Sequence, residues 1–132
     1  VPNSLGRPIG LLHSKSFYTA DTLNVLDKLH LSLFSAIHNE RQQMASDAEV
    51  AAFFNTKTGI LPDVVIGTLN GFAVDSRVRR AEALAKQFGI ASTPTIVVDG
   101  RWQTDVTKAG GNTQVLKVVD FLIAKARKER KK

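Results

Sequence analysis

The run Gly89-Ile90-Ala91-Ser92-Thr93-Pro94-Thr95-Ile96-Val97-Val98-Asp99-Gly100-Arg101-Trp102 restricts the fold more than any other stretch of this chain. Ile96, Val97 and Val98 are strong strand formers with no polar break, so they read as a strand buried on both faces. Pro94 opens the run at the strand position that best tolerates a missing N–H. Asp99-Gly100 is a preferred pair for a tight hairpin turn, whose central residues take positive φ. Arg101-Trp102-Gln103-Thr104 then reads as the returning strand. Upstream, Val74, Val78, Ala81, Ala85 and Phe88 form the apolar stripe of a helix over 72–88, which Gly89 closes in a left-handed conformation.

The remaining segments are helical. Residues 1–7 read as a loop and the end of a strand, and Pro8 suits the first turn of a helix that continues to about Ala20. From Leu23 to Arg41, Leu26, Leu29, Leu33 and Ile37 fall on one stripe, with a break expected near Asn24 or Asp27. Ser46 and Glu49 have the spacing of a capping box, in which each satisfies the other's backbone N–H. Val50, Phe53 and Phe54 follow, and Gly59 ends that helix. Leu61-Pro62-Asp63 opens a short helix with Val64, Val65 and Leu69 inward, and Asn70-Gly71 bends the chain. Lys108 to Gly111 reads as a loop. Asn112 or Thr113 caps a last helix striped by Val115, Val119, Leu122 and Ala126.

Helices therefore outnumber strands heavily. A lone two-stranded hairpin is marginal in water, so the Ile96–Val98 strand needs further neighbours. An unsatisfied strand edge beside residues 95–98 is expected.

A long helix, Thr93-Pro94, a buried strand and hairpin, and a final amphipathic helix resemble the second half of the DsbA-like thiol:disulfide interchange proteins. The resemblance covers nearly the whole chain. It implies an α/β, thioredoxin-like fold, of which this chain holds the C-terminal half plus an inserted helical domain, and a chain that is mostly α. Residues 1–7 become the end of a thioredoxin-domain strand and linker, and 8–71 the helical insert. Residues 72–132 become the connecting helix, the cis-proline hairpin and the C-terminal helix. In that family the Thr93-Pro94 bond is cis. The exposed backbone of the preceding residue pairs with substrate polypeptide, and that residue tunes the redox cysteines. Thr93 is thus the implied substrate-contacting residue and Pro94 the residue that sets the loop's shape.

The chain has no cysteine and cannot exchange disulfides by itself. The resemblance puts the family's Cys-x-x-Cys pair upstream of Val1, so the sequence reads as starting in mid-domain. It implies no catalytic residue in this chain, no cofactor and no metal. The implied partners are unfolded or exported polypeptides and a membrane redox protein, in the periplasm, with no nucleic acid. The protein is expected as a monomer, or as a domain completed by a missing N-terminal segment.

Other residues carry weaker signals. His30 and His38 lie eight apart on one helix and read as helix residues at the core boundary, and with His13 they lack the spacing that would favour a shared metal site. There is no G-x-S-x-G element and no phosphate-binding glycine pattern. Trp102 reads as half-buried packing, with a peptide-groove contact as the sharper alternative. The net charge is +6, and Lys125, Arg127, Lys128, Arg130, Lys131 and Lys132 face only Glu129 near the end. That run reads first as a solvated helix terminus, where cations favour the dipole. No aromatic interleaves it in sequence, which weakens a nucleic-acid reading.

Two alternatives keep the fold and change the function. The kappa-class glutathione transferases and related isomerases share the insert and the proline loop, and use a serine in place of the cysteine pair. A cysteine-free thioredoxin-like domain would instead bind extended peptides at Thr93-Pro94 without redox chemistry.

Overall fold

The computed structural model describes residues 6–132. The expectations for residues 1–5 lie outside them. The order of elements is α1 (Pro8–Thr22), α2 (Leu26–His38), α3 (Asp47–Thr58), α4 (Pro62–Leu69), α5 (Phe72–Gln87), β1 (Thr95–Val98), β2 (Trp102–Asp105), α6 (Val106–Ala109) and α7 (Asn112–Arg130). Contacts divide the chain into one unit ending at Leu84 and a second spanning Ala85–Lys132, with α5 running through both.

The first unit is helical. α1 packs on α2 and α4, and α3 packs on α2 and α4. Leu29, Val50, Phe54, Val65 and Leu69 are completely buried at its centre. Tyr18, Val74 and Val78 form a second cluster where α5 joins α1. Arg77 lies over the Tyr18 ring, 4.8 Å from its centroid, and pairs with Asp21 at 2.5 Å. Burial pushes the Tyr18 hydroxyl above its ordinary pKa, with Arg77 opposing the shift and Asp21 adding to it.

Several local devices match the residues that specify them. The chain breaks between α1 and α2 at Asn24, which takes φ 58°. Pro62 occupies the first turn of α4, and Gly59 closes α3 at φ 74°. Ser46 Oγ accepts from the Glu49 N–H at 3.2 Å. The other half of the box is displaced by one residue, because the Glu49 carboxylate accepts from the Ala45 N–H. Val64, expected inward, is 47% exposed, since Val65 and Leu69 occupy the buried side of this two-turn helix.

α1 buries an unusual face. Gly10, Ser14, Ser16 and Thr19 are inside while Leu11 is exposed, so small residues share the inner face with Leu12, which packs on the core. Ser16 Oγ donates to the Leu12 carbonyl at 2.8 Å. Thr19 Oγ1 is buried without a hydrogen-bond partner among the described residues.

In the second unit, β1 and β2 pair antiparallel, with Val98 opposite Trp102 and Thr95 opposite Asp105. Asp99 and Gly100 take φ 56° and 66°. The Arg101 N–H closes the turn on the Val98 carbonyl at 3.1 Å. Arg101 thus belongs to a three-residue loop rather than to the returning strand. Of the loop expected over 108–111, Lys108 and Ala109 belong instead to α6, because the Asp105 carboxylate accepts from the Lys108 N–H at 2.7 Å and starts a helical turn, while Gly110 and Gly111 lie outside the helices. Gly111 is the N-cap of α7, displacing Asn112 and Thr113 from that role. α7 packs on β1, β2 and α6, and buries Val115 and Ala126.

Two substitutions test this packing. Thr19→Val keeps the shape and removes the unpartnered hydroxyl, so it is expected to stabilise the protein by about 1 kcal/mol in urea unfolding. A loss of stability would show that the hydroxyl is satisfied. Phe54→Ala is expected to cost about 3–5 kcal/mol, and a cost below about 1 kcal/mol would contradict the central place given to Phe54.

Candidate functional site

The loop that joins α5 to β1 is the candidate site. Gly89, at φ 62°, ends the helical path, and the Ile90 N–H closes on the Ala85 carbonyl. Ala91, Ser92, Thr93 and Pro94 follow, all exposed. The Thr93–Pro94 peptide bond is cis. Immediately after it, Thr95 Oγ1 donates to the Ser92 carbonyl at 2.5 Å and fastens the two sides of the proline bend together. The loop thus presents Thr93 and Pro94 to solvent at the mouth of β1.

β1 has one paired edge. Among the described residues its only strand neighbour is β2. In an antiparallel ladder only alternate residues bond to a given neighbour, so half of the β1 backbone groups face the other edge. Thr95, Ile96 and Val97 are half-buried, and only Val98 is buried. The strand expected to be covered on both faces is therefore partly open, because a two-stranded sheet beside α7 covers it incompletely.

Ion pairs hold the far end of the hairpin. Arg101 pairs with Glu129 at 2.9 Å, and Arg130 donates to the Asp99 carboxylate. Trp102 is half-buried, with the Arg101 guanidinium 4.3 Å and the Lys125 ammonium 5.3 Å from its ring centroid. It lies at the end of β2 opposite Val98, whereas the Thr93–Pro94 loop adjoins Thr95 at the other end of β1. The contact of Trp102 with Lys125 was not legible from sequence spacing. The Ser92–Thr95 bond was open to inference only from a hydroxyl following a proline.

The histidines belong to the helical unit. His13, His30 and His38 line an apolar cleft of about 180 Å³ with Phe17, Leu33 and Phe34. His13 Nε2 lies 3.2 Å from the Gln43 and Met44 carbonyls. His30 meets the edge of Phe17, and His38 leans on Phe34. Each ring is thus engaged by a carbonyl or an aromatic neighbour. Among the described residues no three histidine or carboxylate side chains gather in an arrangement that would hold a metal ion. No described helix is long and apolar enough to cross a membrane.

Residues 12–122 match the family described as the DSBA-like thioredoxin domain. The thiol:disulfide interchange protein DsbA of Pseudomonas aeruginosa is 34% identical over 121 residues, covering 92% of this chain and 57% of the relative. DsbA of Pseudomonas syringae pv. tomato is 32% identical over 127 residues, covering 96% of this chain and 58% of the relative. The crystal structure of Pseudomonas aeruginosa DsbA superposes with a TM-score of 0.89 at 34% identity, over 97% of this chain and 66% of that one. The oxidoreductase DsbA of Xylella fastidiosa gives a TM-score of 0.83 at 28% identity, over 93% of this chain and 65% of that one. The chain thus spans a little over half the length of the curated relatives it matches. On the match across residues 12–122, it belongs to the DsbA-like thioredoxin-domain family and has that family's thioredoxin fold with a helical insert.

Proposed function

We propose that this chain is the helical insert and C-terminal half of a periplasmic thiol:disulfide oxidoreductase that donates disulfides to exported proteins. The redox cysteines are supplied by polypeptide outside residues 1–132, since the chain itself contains none. The division proposed is 8–71 for the insert and 72–132 for the thioredoxin-like part. A membrane redox protein is the proposed partner that returns the enzyme to its disulfide form.

The observation that carries this reading is the identity, near one third, with proteins named thiol:disulfide interchange proteins, extending across nearly the whole chain. The geometry of the proline loop supports it. Thr93 and Pro94 are exposed at the head of a strand, next to an edge that carries no strand among the described residues. An extended polypeptide is recognised by main-chain hydrogen bonds along such backbone, which are independent of its side chains. That suits an enzyme acting on many unfolded substrates. Thr93 is the proposed substrate contact and Pro94 the residue that shapes the loop.

The chemistry proposed for the whole enzyme is thiol–disulfide exchange. A substrate thiolate attacks one sulfur of the enzyme disulfide and releases the other as thiolate, giving a mixed disulfide. A second substrate thiolate then attacks the substrate-side sulfur, leaving an oxidised substrate and a reduced enzyme. The part proposed for this chain is to hold the substrate backbone during both steps.

The test is oxidation of a reduced, disulfide-forming substrate by the intact gene product. Catalysis is expected, together with two titratable thiols after reduction in denaturant. Thr93→Arg is expected to slow substrate oxidation by about tenfold, the effect of losing roughly 1.4 kcal/mol of binding, with unfolding unchanged because the side chain is exposed. An intact product with no thiol would overturn the oxidase reading in favour of a peptide-binding domain. An unchanged rate in the Thr93→Arg variant would remove the loop from substrate contact.

A further inference from the structure

We infer that the outward face of α7 is a docking surface for an anionic phospholipid bilayer. The apolar side of α7 is already engaged, because Val115 and Ala126 are buried and the helix packs on β1, β2 and α6. Yet Phe121 is 65% exposed. At 100° per residue it lies well round the helix from Val115 and Ala126, and the described residues leave its ring uncovered.

The neighbours of Phe121 on that face are cations. Residues four before, four after and seven after it share its stripe, and these are Lys117, Lys125 and Lys128, all exposed. Lys125 also lies over the Trp102 ring. Asp120 sits a full 100° away round the helix, and Glu129 is paired with Arg101. No carboxylate therefore falls within the stripe. Lys131 and Lys132 extend the positive charge past the helix end. The basic run that reads in sequence as free of aromatics thus continues, once wound into a helix, a stripe that carries a ring one turn before it.

An exposed ring set among lysines fits a lipid interface. Lysine stems lie along the apolar surface and carry their ammonium groups up to the headgroups, while the ring enters the boundary below them. Clustered cations are drawn to anionic lipid over roughly a Debye length. A single convex helix with one ring offers no groove to track a strand and no series of stacking platforms, so the same face is a poor site for nucleic acid.

The test is partition of the intact protein into vesicles of phosphatidylcholine with or without about 30% phosphatidylglycerol. Binding is expected to be at least about tenfold stronger to the anionic vesicles, and to fall steeply as salt rises from about 50 to about 300 mM. The pair Lys117→Glu with Lys128→Glu is expected to lower it by about tenfold or more. Both residues are exposed, so the circular dichroism and unfolding midpoint should hold. Phe121→Trp should add fluorescence that brominated lipids quench. Equal partition into neutral and anionic vesicles, no effect of the paired charge reversal, no quenching in the tryptophan variant, or tighter binding to a single-stranded oligonucleotide than to anionic vesicles would each overturn the inference.

Discussion

The rest of the second unit depends on how β1 is held. A strand has two edges, and β2 satisfies one of them through an antiparallel register from Thr95–Asp105 to Val98–Trp102. An isolated hairpin of this size would be marginal in water. Here α7 lies against both strands, and Arg101–Glu129 and Arg130–Asp99 clamp the turn to it. The apolar contacts of Val98, Val115 and Ala126 add burial to this clamp. The clamp orients the turn end of the hairpin. The proline end is fastened separately, by Thr95 Oγ1 on the Ser92 carbonyl. This leaves Thr93 and Pro94 exposed on backbone that is nevertheless fixed in shape.

The helical unit is built differently. Its centre is a well-buried set of aliphatic side chains and Phe54, to which α1 adds Ala20 and Leu12 beside buried small and polar residues. Small residues let helices approach closely, and the cost appears at Thr19, whose hydroxyl finds no acceptor among the described residues. The three histidines sit round one apolar cleft of this unit, and their contacts with carbonyls and phenylalanines account for them as parts of the packing.

Much of this was legible wherever a residue has a strong local preference. Asn24, Gly59, Gly89 and the Asp99-Gly100 pair all stand where positive φ is required, and Pro62 starts a helix. Ser46 caps α3 through its own hydroxyl. The misreadings came where a nonlocal partner or a one-residue shift decided the outcome. Arg101 is a turn residue because the pairing register sets three residues, not two, between the strands. Asp105 turned part of an expected loop into α6 by capping a backbone that holds no apolar stripe of its own. Val64 lost the inward position to its neighbour, since on a helix of two turns periodicity leaves the phase open. The cis Thr93–Pro94 bond was legible only through the family pattern, because nothing in Ser92, Thr93 or Thr95 alone marks it. The placement of Phe121 among lysines needs the helical geometry to be seen.

The measurement that bears most directly on the open edge of β1 is amide hydrogen exchange at Thr95, Ile96, Val97 and Val98. In the 132-residue chain, protection is expected to alternate, with slow exchange only at amides bonded to β2. In the protein extended to the length of its DsbA relatives, the remaining amides of β1 are expected to become slow as well. Uniform protection along β1 in the 132-residue chain, or rapid exchange at alternate amides in the longer protein, would contradict the account.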